Sequence, residues 1–301
     1  MSIPLITHPA YSYDFPGKHR FPMQKFALLH EYLQSIGLAT KTNTLRPGRA
    51  KHEFLQTAHC ADYIRRFCEG QLSDKEVRRL GLPWSEGLVR RTVISPAGTM
   101  LAAHYALNNG IACHLAGGTH HAHYDFASGF CIFNDLAITA KTLLSAGAVN
   151  KVLIFDLDVH QGDGTARILE HTSEVFTCSI HCAKNFPARK ATSDLDINLA
   201  VGMEDDDYLK IVEDTLALLI EQQQPDLILY DAGVDVYTDD PLGLLNISLE
   251  GIRLRDHLVL KQARDAGVPI MTVIGGGYDK DQKALARRHA VAVEEAYDVF
   301  G

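Results

Sequence analysis

No uncharged apolar run in this chain approaches the roughly twenty residues that a membrane-spanning helix needs, and the first residues lack a basic segment leading into an apolar one. These absences predict a cytoplasmic protein with no membrane span. Cysteine is sparse. Cys60, Cys68, Cys113, Cys131, Cys178 and Cys182 stand at irregular spacings without a CxxC pair, so neither a disulfide framework nor a thiolate zinc site is expected. Cys178 and Cys182, four apart in CSIHC, fall in a strand-like segment and read as core. Basic charge is also in short supply: 29 Lys and Arg against 37 Asp and Glu leave a net charge of -8, which argues against general nucleic-acid binding. A negative rim would suit a cationic substrate such as a lysine-bearing peptide, although an acidic balance is also what cytosolic proteins ordinarily carry. The single tryptophan, Trp84 in GLPWSEG, reads as a packing anchor. Linkers, repeats and low-complexity segments are missing, so residues 1–301 are expected to form one domain.

A chain of 301 residues that is 46% hydrophobic can bury a large core. Apolar, β-rich runs stand at 111–116, 151–159, 174–181, 226–232 and 269–275. Helical periodicity fills 97–109, 134–147, 205–223, 249–266 and 280–299. This alternation predicts an α/β fold, a largely parallel sheet with helices on both faces and a ligand site at the carboxyl ends of the strands. Before residue 95 the pattern is less regular, with helical candidates at 22–36, 60–69 and 73–80 and a basic, Pro/Gly-containing stretch at 42–51. That region reads as an elaboration of the same domain.

The strongest chemical signal is FDLDVHQGDG at 155–164. Strand alternation would place Asp156, Asp158 and His160 on one face of a buried strand. Burying two carboxylates and an imidazole together costs several kcal/mol, roughly, unless a cation or hydrogen bonds compensate. A metal is therefore expected, and His and Asp donors suit Zn2+ or another divalent first-row ion. Asp235 in DAGVD (231–235) is a third ligand candidate, with a helix cap or turn bond as the competing reading. The pair His120 and His121 lies in GGTHHAHYD (117–125), after a strand. In a chain with 15 His such a pair also arises by chance. His123 is expected to be exposed and His114 buried, both structural. IGGGYDK (274–280) offers Tyr278 on a loop whose glycines permit close backbone approach. A phosphate loop is the rival there, but the GxGxxG and GxxxxGK spacings are missing.

These motifs, in this order, resemble those of the histone deacetylase and acetylpolyamine amidohydrolase superfamily: GGTHHAHYDFASGFCIFND (117–135), DLDVHQGDG (156–164), DAGVD (231–235) and GGGY (275–278). HPAYSYDFPGKHRFPMQK (8–25) and LQTAHCADYI (55–64) extend the resemblance toward the N-terminus. SPAGTMLAAHYAL (95–107), Gln161 and DPLGLLNIS (240–248) look most like class IV members and their bacterial relatives. The resemblance implies an arginase/deacetylase-like sheet of about eight strands and hydrolysis of an acyl-lysine amide. It implies Asp158, His160 and Asp235 as ligands of one catalytic Zn2+, and Tyr278 as the phenol that stabilises the oxyanion. His121 would be the acid/base and His120 its electrostatic partner, with Asp156 and Asp163 behind them. Phe130 and Phe186, with Gly129 and Leu242, would wall a narrow lysine channel. A structural K+ near Asp156, Asp158, His160 and Ser179 is also implied. An acetylpolyamine or other small amine is the alternative substrate to an acyl-lysine peptide or protein. A binuclear arginase-type site would need Asp where this chain has His120, His121 and His160. A non-catalytic binding module would not need to keep the ligands, both histidines and the tyrosine. Acyl length and oligomeric state stay open.

Overall fold

The computed structural model describes residues 2–301. Eight strands form one sheet and every pairing is parallel, in the order β2-β1-β3-β8-β7-β4-β5-β6. The central strands are β3 (Ile111–His114), β4 (Val152–Asp156), β7 (Leu227–Asp231) and β8 (Ile270–Val273), and all their residues are buried. Burial on both faces explains their near-continuous apolar composition. Beside β4 lies β5 (Val175–Cys182), which carries Cys178 and Cys182 into the core as expected.

Helices α6 (Asp135–Ser145), α7 (Asp163–Leu169), α8 (Asp205–Gln223), α9 (Leu249–Asp265) and α10 (Gln282–Phe300) make the later crossovers. Shorter helices α1 (Lys25–Ser35), α2 (His52–Leu55), α3 (Ala61–Cys68) and α4 (Asp74–Leu80) build the N-terminal part. The long helix α5 (Glu86–Asn109) begins well before the expected residue 97 and runs through Pro96. An interior proline costs about 3 kcal/mol, yet the Ser85 cap and burial of Leu88, Val93, Ala102, Ala103 and Ala106 hold the helix continuous. The stretch 42–51 contains β2 (Thr44–Leu45), which joins β1 (Leu5–Ile6) at one sheet edge. At the other edge, β6 (Leu195–Leu199) is only partly buried and lacks a continuous apolar run.

Two expectations are corrected. First, β4 ends at Asp156, so Asp158 and His160 sit in the bend that follows and are not strand residues on a shared face. Second, His123 is half-buried and hydrogen-bonded to Asp163 Oδ2 at 3.1 Å, not exposed. Trp84, expected as a packing anchor, donates from Nε1 to the Phe67 carbonyl and packs over Gly70 while remaining 39% exposed. His114 is buried between the Tyr11 hydroxyl and Thr99, as a structural histidine.

Candidate active site

Four adjacent strands, β3, β8, β7 and β4, end side by side, and each leads into one of the motifs. The sheet order thus gathers residues separated by more than 150 positions in sequence. This is the topological switch region where parallel sheets hold ligands.

After β4, the chain bends so that Asp158 Oδ1 accepts from the His160 backbone N–H at 2.9 Å. Asp158 Oδ2 accepts from Gly276 N–H at 2.7 Å, and Asp235 Oδ1 accepts from Val159 N–H at 2.9 Å. Asp235 therefore ties neighbouring loops together and does not cap a helix. His160 Nδ1 lies 3.0 Å from Asp158 Oδ1 and 3.1 Å from Asp235 Oδ2. All three side chains are buried and offer ligand atoms within 4.8 Å of one another. Burial opposes a charge on His160, but the two carboxylates outweigh it and raise its pKa to about 10. The cluster thus draws positive charge to its centre. Gly276 makes it possible: a Cβ there would collide with Asp235 Oδ2 and lie 2.5 Å from Asp158 Oδ2. Two carboxylates and one imidazole, with no thiolate, fit a divalent first-row ion with coordination positions to spare.

The histidine pair sits on the turn after β3. Asp135, the first residue of α6, fastens that loop by accepting from Thr119 N–H at 2.8 Å and Gly118 N–H at 3.2 Å. His120 Nδ1 then meets Asp156 Oδ2 at 2.8 Å, and His121 Nδ1 meets Asp163 Oδ1 at 2.7 Å. The two rings are 4.1 Å apart. Burial disfavours a charged His120, but Asp156 and Asp158 overcome this and hold its pKa well above the ordinary value. Burial, followed by the charge on His120, pushes His121 down to about 4. Burial and neighbouring charge thus shift the two imidazoles in opposite directions.

Tyr278, 8% exposed, is placed by its backbone N–H, which donates to Asp240 Oδ2 at 2.7 Å. Its ring faces Phe130 at 5.8 Å. Phe130 adopts a φ of +66° and donates its N–H to the Leu80 carbonyl. A non-glycine residue in this left-handed region is uncommon and recurs where function constrains the backbone. Phe186 meets His121 edge-on at 4.8 Å. Gly129, Phe130, Phe186 and Leu242 all line one outer cavity of about 430 Å3 that reaches His121, His160 and Tyr278. Inward lies a second cavity of about 50 Å3, bounded by the same catalytic candidates and by buried Lys25 and Arg91. Ser179 is the register partner of Asp156 on β5, but its hydroxyl is hydrogen-bonded to His181 Nδ1 at 3.0 Å. Gln161 is fully buried and bonds Ala191 and Asp196, away from the reacting groups.

Two residues carry no separate signal in the sequence. Asp231, the first residue of DAGVD, is completely buried near His120 and Asp156, and neither of its oxygens has a hydrogen-bond partner among the described residues. Burial, then Asp156, raises its pKa well above the carboxylate range. Lys25 is the other: its ammonium donates to the carbonyls of Gly275 and Gly277 and thereby braces the tyrosine loop.

Comparison with known proteins identifies the family. The histone deacetylase domain model matches residues 19–294. An uncharacterized protein of Picosynechococcus sp. is 46% identical over 300 residues, covering all of both chains. Histone deacetylase 2 of Arabidopsis thaliana is 29% identical, covering 97% of this chain and 78% of its own. The acetoin utilization protein AcuC of Staphylococcus aureus is 31% identical, covering 89% and 74%. The chain belongs to the histone deacetylase family.

Proposed function

We propose that this protein is a zinc-dependent deacylase that hydrolyses the side-chain amide of acyl-lysine in a peptide or protein. Family membership supports hydrolysis of acetylated amines in general. The observation that carries the finer reading is the meeting of three groups at one narrow cavity: the Asp158–His160–Asp235 cluster, two His–Asp dyads and Tyr278. Asp158, His160 and Asp235 would hold the ion, which when bound supplies Lewis acidity and lowers the pKa of water.

The chain's own residues account for the rest. His121, neutral and oriented by Asp163, is the group suited to take a proton from water and return it to the departing amine. His120, held charged by Asp156, stabilises negative charge that develops beside it. The Tyr278 phenol is the donor for the carbonyl oxygen as it becomes an oxyanion, a contact whose loss typically costs about 2.7–4 kcal/mol. Gly129, Phe130, Phe186 and Leu242 would enclose the lysine stem and exclude water. Asp156 and Ser179, paired across β4 and β5, would contribute with the backbone around Asp158 and His160 to a structural K+. Placement near class IV rests on the 95–107 segment, Gln161 and the 240–248 segment.

The inner cavity of about 50 Å3 holds only a few water-sized groups, which supports acetyl and other short acyl groups over fatty ones. An acetylpolyamine remains the alternative, since the same metal cluster and bases would serve it. A matched series of lysine peptides bearing acetyl, butyryl, octanoyl and myristoyl groups, run beside N-acetylputrescine with and without chelator, tests the reading. Chelator-sensitive release that falls with chain length is expected. Turnover of N-acetylputrescine alone would move the protein to small amines.

A further inference from the structure

The net charge of -8 does not extend to the mouth of the site. Three segments distant in sequence bring Arg20, Arg78, Arg79 and Lys184 to the outer cavity, and none of the residues lining that cavity is a carboxylate. The negative rim that composition suggested is therefore replaced by a positive one. All four side chains are exposed, and none forms an ion pair among the described residues. Arg79 is fixed by the Ala127 carbonyl and the Phe126 ring, and Arg20 stands 5.3 Å over Phe130 at the channel wall. Arg78 and Lys184 have no side-chain hydrogen bond among the described residues, and the segment around Lys184 adds Arg189 and Lys190 without a carboxylate.

Unpaired charge of one sign on a concave mouth raises the local concentration of oppositely charged ligands and repels like charge. Acyl-lysine is itself neutral, so the rim acts on whatever flanks it. We propose that Arg20, Arg78, Arg79 and Lys184 select acyl-lysines set among acidic residues of a peptide or protein. This inference rests on the deacylase reading above and names its substrate class. It also separates the two substrates left open there: an acylated polyamine keeps protonated amines that would lie against the cationic rim. The liberated lysine ammonium, repelled by the same charges, is favoured to leave.

The test uses the metal-loaded full chain and three acetyl-lysine peptides of equal length whose flanking residues are Glu, Gln or Lys. The expected order of kcat/KM is Glu, then Gln, then Lys. The total span should be about tenfold or more at low salt and shrink as ionic strength rises. The Arg78→Glu/Lys184→Glu double variant should narrow or invert that order, and the milder Arg78→Gln should narrow it without charge reversal. Equal rates on the three peptides, or a preference for the Lys-flanked one, overturn the inference while leaving the deacylase reading intact. Failure to hydrolyse any peptide overturns both.

Discussion

At the scale of single residues, the site depends on atoms that leave no room for others. Gly276 donates its N–H to Asp158 and lets the backbone pass against both carboxylates. Gly276→Ala should separate Asp158 from Asp235 and weaken metal affinity by about 10- to 100-fold, the range typical of disturbing the groups that orient ligands. Chelator competition measures this without reference to turnover, and unchanged affinity would contradict the assignment of these two carboxylates as ligands. The legibility of individual residues follows the same chemistry. Asp158, His160, Asp235, the histidine pair and Tyr278 could be singled out because their residue types are costly or conspicuous where apolar strands end. Asp231 could not, because an aspartate at the end of a strand reads as a turn residue until the neighbouring strands are known. Lys25 was hidden because a lysine at the start of a helix reads as a solvent-facing residue.

At the scale of elements, α4 shows how local and tertiary terms combine. Ser73 and Glu76 form a capping box, and Glu76 also pairs with Arg66 of α3 at 2.7 Å. The Arg66 bond leads the causes that lower the Glu76 pKa from 4.5 to about 2. A depressed carboxylate pKa contributes stability that is fully present above about pH 4.5 and is lost as pH falls toward about 2. Glu76→Gln keeps a capping side chain and removes the charge. It should cost under about 1 kcal/mol at pH 7, with the difference from wild type shrinking progressively below pH 4.5. Urea unfolding followed from pH 7 to pH 3 measures that gap, and a gap constant across the range would show that the ion pair contributes nothing. The five buried strands were legible because burial on both faces demands apolar runs. Strands β1, β2 and β6 were not, since two short segments and a half-exposed edge carry no such demand. Alternation misplaced Asp158 and His160 because it presumes that a strand continues, whereas β4 stops where the polar residues begin.

At the scale of the molecule, strand order does what no local pattern specifies: it sets the ends of β3, β8, β7 and β4 beside one another and assembles the site from four loops. The fold class was legible from the alternation of strands and helices, and the resemblance supplied the expectation of about eight strands. The charge of the mouth was not, because net charge is a sum and the cations that meet there come from separate segments. In the proposed function, one ion bound at Asp158, His160 and Asp235 makes this family member an active acyl-lysine hydrolase. Its most direct test is acetate release from an acetyl-lysine peptide while metal-stripped protein is titrated with Zn2+. No release is expected at the start, then a linear rise to one equivalent per chain and a plateau. Full activity in the stripped protein, or none after one equivalent has bound, would contradict it.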